Sequence, residues 1–166
     1  MPAEDAAVSP YLDCLKGGDA ERGRTIFRER TQVSCVRCHR IAGNGGDVGP
    51  DLTKLAADPL KTRKYLLESL VAPNKAIAKG FESVLLLDSS GNSFTGIIKK
   101  ESGEKVDLMT AEGKLISLAK EEIEQRRPAK SAMPDDLTKH LSKFEVRDLV
   151  EYLANLKEGP VEPGRK

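Results

Sequence analysis

The chain has no Trp, and aromatic residues make up only 4% of its 166 positions. Rings normally supply much of a core's buried area. A core drawn from 39% hydrophobic residues with so few rings leaves space for a large apolar prosthetic group. Charge of one sign is also missing: the formal net charge is +1, which gives no footprint for nucleic acid or an anionic membrane. Partner choice must then come from local patches. No stretch approaches the roughly 20 apolar residues of a membrane span, and the opening "MPAEDAAVSP" lacks the basic and apolar regions of a signal peptide. The chain shows no internal repeat. Its length suits one domain, or one small domain with an insertion.

What is present changes character twice. Residues 11–79 read as helices joined by Gly- and Pro-rich loops. "GDAERGRTIFRER" has Asp19 as N-cap, and "DPLKTRKYLLESLV" places Leu60, Tyr65, Leu66, Leu70 and Val71 near one stripe before Pro73 stops it. Residues 80–127 switch toward period two. "FESVLLLD", "SFTGIIKK", "KVDLMT" and "KLISLA" are four strand candidates separated by short Gly-bearing turns. They predict an antiparallel meander curled into a small barrel or half-barrel, with "KEEIEQ" as a closing turn of helix. Residues 128–158 return to helix: "SAMPDDL" is an irregular loop, and "SKFEVRDLVEYLANLK" is amphipathic, with Ser142 as N-cap and Phe144, Leu149, Tyr152, Leu153 and Leu156 on its apolar face. Gly159 reads as its stop and 159–166 as a tail. The fold class expected is a mainly α framework with an inserted small antiparallel β meander, α+β overall.

The chemistry concentrates in "SCVRCHR", which holds Cys35, Cys38 and His39, two of three cysteines and one of two histidines. Cys-x-x-Cys-His attaches a c-type haem: both thiols add to the porphyrin vinyl groups, and the adjacent His is directed at the iron. A zinc ribbon needs a second ligand pair, whereas Cys14 and His140 stand alone. A thioredoxin-like pair needs a βαβ context that the flanks do not supply. Chance is the remaining alternative. An iron that carries electrons usually has a second axial ligand, and Met133, in a polar loop beside Pro134, is poorly placed as core filler. His140 is its rival. Lining is expected from Phe27, Ile41, Leu52, Leu55, Leu66 and Leu70. Arg40, Arg126, Arg127 and Lys130 are candidate partners for haem propionates.

These motifs resemble a class I cytochrome c. "GDAERGRTIF" resembles the family's first helix, with Gly23 and Phe27 at positions that pack on the last one; "CVRCH" is the attachment motif; "GPDL" resembles the loop behind the proximal His; "MP" matches the distal loop; and "LVEYLANL" resembles the final helix. The resemblance implies that the carbonyl of Pro50 accepts the second N–H of His39. More narrowly, "CLKGGDAERGRTIF", "YLLESLVAPNKAIAKGFESV" and "KSAMPDDL" resemble a haem-binding domain of planctomycetes, found at the C-terminus of large exported proteins. That family implies one covalent haem c, one-electron transfer at a low-spin iron held by His39 and Met133, and no enzymatic residues, though the domain can belong to a larger dehydrogenase. The competing reading is a haem-based ligand sensor or peroxidase-like protein with a displaceable Met133.

Attachment of haem c outside the cytoplasm implies a periplasmic or otherwise exported protein, so the missing leader suggests an excised or processed chain. The expected partner is a redox protein or a fused dehydrogenase domain, with no nucleic acid and no membrane span. The strand-rich segment is either a structural lid or a docking surface, with "SVLLL" inside. A homodimer could form through that segment or through Cys14, whose other reading is a small buried hydrophobe.

Overall fold

The computed structural model describes residues 3–158; the expected stop at Gly159 and the tail lie outside the described residues. A short helix α1 (Ala3–Val8) and a 3-10 segment (Ser9–Leu15) lead into α2 (Ala20–Glu29). Asp19 caps α2 by accepting from the Arg22 backbone N–H, which satisfies one orphan donor of the first turn. The haem-type motif forms a single turn, α3 (Cys35–Cys38), followed by a two-residue ladder of β1 (Arg40–Ile41) and β2 (Asn44–Gly45) and by α4 (Arg63–Val71). The last helix, α5 (Lys143–Ala154), starts with a complete capping box of Ser142 and Glu145.

Helices α2 and α5 cross closely, and Gly23 permits it. A Cβ there would lie 2.1 Å from the Asp148 carbonyl oxygen and 2.7 Å from the Tyr152 Cβ. One turn on, Phe27 tilts against Tyr152 with ring centroids 5.8 Å apart. Buried Asp148 accepts from the Asp19 N–H at 2.7 Å and from Arg22 Nε at 2.8 Å, so the crossing is pinned by charge as well as by rings. The main core gathers Leu66, Leu67, Leu70, Val146, Leu149, Val150 and Leu153 around this pair.

Five strands follow α4: β3 (Ser83–Asp88), β4 (Ser93–Glu101), β5 (Lys105–Met109), β6 (Leu115–Ala119) and β7 (Ile123–Pro128). All neighbours are antiparallel, in the order β6-β5-β4-β3-β7. The sheet has its own small core of Leu86, Val106 and Leu108. A 3-10 turn, Lys120–Glu122, carries the chain from one sheet edge to the other. Glu101 at the end of β4 pairs with both Lys120 and Arg126, so the sheet curls without β6 pairing to β7.

Helices and a five-stranded antiparallel sheet together make an α+β protein. Three sequence expectations change. "KEEIEQ" is a helical turn only in its first half: Lys120–Glu122 is 3-10, but Ile123–Pro128 pairs along β3, with Leu86 opposite Arg126. Its Lys and Glu favour helix intrinsically, but a vacant strand edge outweighs that preference. Leu60 precedes α4 and is 78% exposed, whereas Leu67 is fully buried. Phe144, expected on the apolar face of α5, is 70% exposed with Arg147 stacked over its ring.

Candidate functional site

The CxxCH turn begins at Ser34, which takes a left-handed backbone, φ 45 and ψ 44, an uncommon conformation for a residue with a Cβ. One helical turn then brings Cys35 and Cys38 to the same side, and the His39 N–H donates to the Cys35 carbonyl at 2.9 Å. No disulfide joins the cysteines. Burial pushes the Cys35 thiol up to about 11, so it is neutral at pH 7. Redox pairs depend on the opposite, a depressed thiolate pKa. Among the described residues no group of three or more His, Cys, Asp or Glu side chains is arranged to hold a metal ion, so the motif has no second ligand pair beside it.

His39 is oriented from behind. Its Nδ1 lies 2.9 Å from the Pro50 carbonyl oxygen. A carbonyl only accepts, so Nδ1 carries the proton and Nε2 keeps its lone pair. Burial lowers the imidazole's pKa, against the opposing pull of the Pro50 bond, so the ring is neutral as a ligand must be. The loop reaches the ring because residue 49 is Gly: a Cβ there would stand 2.5 Å from His39 Cε1 and 2.7 Å from Nδ1. Three backbone bonds fasten the same loop, Gly46 N–H to Val36, Gly49 N–H to Cys38 and Leu52 N–H to Arg40, at 2.7–2.9 Å.

Cys35, Cys38 and His39 open onto a cavity of about 670 Å³ that Met133 also lines. Five of the six expected lining residues are there, Phe27, Leu52, Leu55, Leu66 and Leu70; Ile41 is buried in the core instead. Met133 is half-buried, and its N–H donates to Ser131 Oγ at 3.2 Å. His140 is exposed and does not line the cavity, so Met133 alone of the two rivals faces it. The expected propionate partners are elsewhere. Arg40 pairs with Asp47, Arg126 with Glu101, and Lys130 with Asp135, while Arg127 donates to Gln125. The lining cations are Lys54 and Lys61, the latter with Nζ 3.9 Å from the Tyr65 ring centroid. Sequence offered no signal for either, since an isolated Lys normally reads as solvated surface.

Sequence reasoning also missed the sheet's part in the cavity. Ile97 of β4 is 2% exposed and lines it, beside Phe81 just before β3. On the same strand Lys99 Nζ donates to the Asp47 carbonyl and sits 4.9 Å from the Phe81 ring centroid. The sheet is therefore fastened to the loop behind His39. Cys14 is 2% exposed and its thiol donates to the Lys143 carbonyl at 3.3 Å, as a small core residue does.

An apolar cavity, two free thiols one helical turn apart and an imidazole with a free Nε2 fit a covalently held haem. Residues 20–83 match the family model for cytochrome c. That segment, less than half of the chain, is similar to a cytochrome c domain. Domains of that family hold haem c covalently and transfer electrons. The matched segment includes Cys35, Cys38, His39 and Pro50 and ends at the first residue of β3. Met133, most of the sheet and α5 lie beyond it. No curated protein matches the chain, and among the described residues no helix is long and apolar enough to cross a membrane.

Proposed function

We propose that the chain is a monohaem c-type cytochrome domain that transfers one electron at a time. Cys35 and Cys38 would be its thioether anchors, and His39 and Met133 would hold its iron. The observation that carries this is one apolar cavity whose lining includes all four side chains. When bound, the group would supply a ferric/ferrous couple, and one thioether with one imidazole would favour the ferrous state relative to two imidazoles.

The protein's own contribution is positional and electrostatic. Pro50 holds the His39 proton on Nδ1 and so aims Nε2. The lining is rich in Leu, Ile and Phe side chains, and low polarity there disfavours an extra positive charge. No acid–base residue is required, so the role is that of a carrier and not an enzyme. The planctomycete-type resemblance adds a setting: a periplasmic or otherwise exported location, with electrons exchanged with a partner protein or a fused dehydrogenase domain.

Absorption spectra of the purified holoprotein and its Met133→Ala variant test this, together with an intact mass. The expected result is one covalent haem, a low-spin ferric spectrum with the Met-to-iron charge-transfer band, and no rapid carbon monoxide binding. That band should vanish in Met133→Ala. A high-spin ferric form or fast carbon monoxide uptake by the parent protein would replace this reading with the sensor or peroxidase-like one.

A further inference from the structure

The Met133 loop poses a mechanical problem. It returns to the cavity only after the whole sheet has been traversed, and it is not in a helix or strand. Its first attachment is at the sheet: β3 and β7 run side by side, and the Ala129 N–H donates to the Ser83 carbonyl at 2.9 Å. The second is farther on. The Ser131 N–H donates at 2.8 Å to Asn74 Oδ1, a partner 57 positions away. Ser131 in turn presents its hydroxyl oxygen to the Met133 N–H at 3.2 Å. Asn74, Ser131 and Met133 thus form a relay from the turn after α4 to the backbone of the residue whose side chain lines the cavity.

The far end of the relay is well anchored. The Lys75 N–H donates to the Ala72 carbonyl at 2.9 Å. The Lys75 ammonium lies between Asp5 and Glu68, at 2.8 and 2.7 Å. Pro73 and Ala76, on either side of this pair, line the cavity themselves. Asn74 therefore ties a loop with little structure of its own to a turn that is fixed from three directions.

We propose that Asn74 is a positioning residue for Met133, closing the chain across the base of the sheet so that the thioether faces the cavity. The proposal rests on Met133 being the distal ligand. Losing one neutral hydrogen bond costs about 0.5–1.5 kcal/mol, up to about tenfold in an equilibrium. An exogenous ligand that competes with Met133 should report that loss directly.

The test is imidazole titration of the ferric holoprotein, following loss of the Met-to-iron band in the parent, Asn74→Ala, Asn74→Asp and Met133→Ala proteins. Alongside it, NMR measures exchange of the Ser131 amide. The expected result is that Asn74→Ala loses the band at about tenfold lower imidazole and exchanges the Ser131 amide faster by a similar factor. Asn74→Asp keeps an acceptor oxygen in place and should behave like the parent. An Asn74→Ala protein that titrates like the parent, while Met133→Ala lacks the band, overturns the proposal and leaves Met133 as ligand. A Met133→Ala protein that keeps the band overturns both. A Ser131 amide in the parent that exchanges at the rate of an unstructured peptide also overturns the proposal, and that measurement needs no variant.

Discussion

The two walls of the cavity are built differently. The wall carrying His39 comes from one stretch, residues 35–52, in which the motif turn and the following loop bond to each other and Gly49 lets that loop press on the ring. The loop carrying Met133 is held by bonds to distant parts of the chain, Ser131 to Asn74 and Ala129 to Ser83. Local closure costs little loop entropy, whereas distant closure costs more and is released by breaking fewer contacts. The His39 wall should therefore be the more persistent, and ligand exchange should begin at Met133.

Removing the sheet's contribution tests this difference most severely. Ile97→Ala deletes a side chain that is 2% exposed and faces the cavity, at a cost of about 3 kcal/mol. Denaturant unfolding should register that loss, and the Met-to-iron band should weaken before haem attachment is affected. If attachment fails first, the sheet supports the His39 wall more than the Met133 wall. Next in size is Gly49→Ala, which forces a methyl to within 2.5 Å of His39 Cε1 and costs about 2 kcal/mol by overpacking. Here the order should reverse: spectra should show displaced His39 ligation while the Ser131 amide stays protected.

The same contrast between local and distant closure governs which features are legible in the sequence. The Asp19 and Ser142 caps are short-range patterns, and each led to the observed local structure, whereas the packing of Gly23 and Phe27 on the last helix came with the family resemblance. In "KEEIEQ", helix-favouring composition gave no hint that β3 would offer it an edge. Ile97 reads as one of three apolar residues on a strand, with Phe94 and Ile98, and only the docking of the sheet turns it toward the cavity. Asn74 carried no signal at all, because its partner's identity depends on how far the intervening strands return the chain. The partners of the propionate candidates were hidden for a related reason: each guanidinium or ammonium pairs with a nearby group on the surface, most of them acidic.

The helical crossing that supports both walls can be weakened through pH. Burial raises the Asp148 carboxyl, but the Arg22 guanidinium and the Asp19 N–H outweigh it, and the folded-state pKa is lowered overall. A lowered carboxylate stabilises the fold above its unfolded value, near 3.9, and that contribution disappears as pH falls through the folded value. Asp148→Asn should cost about 1 kcal/mol at pH 7. Denaturation curves for the variant and the parent should converge in strong acid. A constant gap across that range would mean that shape, and not charge, makes Asp148 fit the crossing.

The smallest effect is the most direct check on the apolar face of α5. Phe144 follows the helical period of Leu149, Tyr152 and Leu153 closely enough to be read as core, yet it is 70% exposed while Leu149 is fully buried. It lies in the first turn of α5, ahead of the residues that meet α2, and its ring is covered only by Arg147. Exposed area yields almost nothing when truncated, so Phe144→Ala should change unfolding free energy by less than about 0.5 kcal/mol. A loss of the size expected for Ile97→Ala would instead mean that the ring is covered in solution, and that the amphipathic pattern of α5 was right about Phe144.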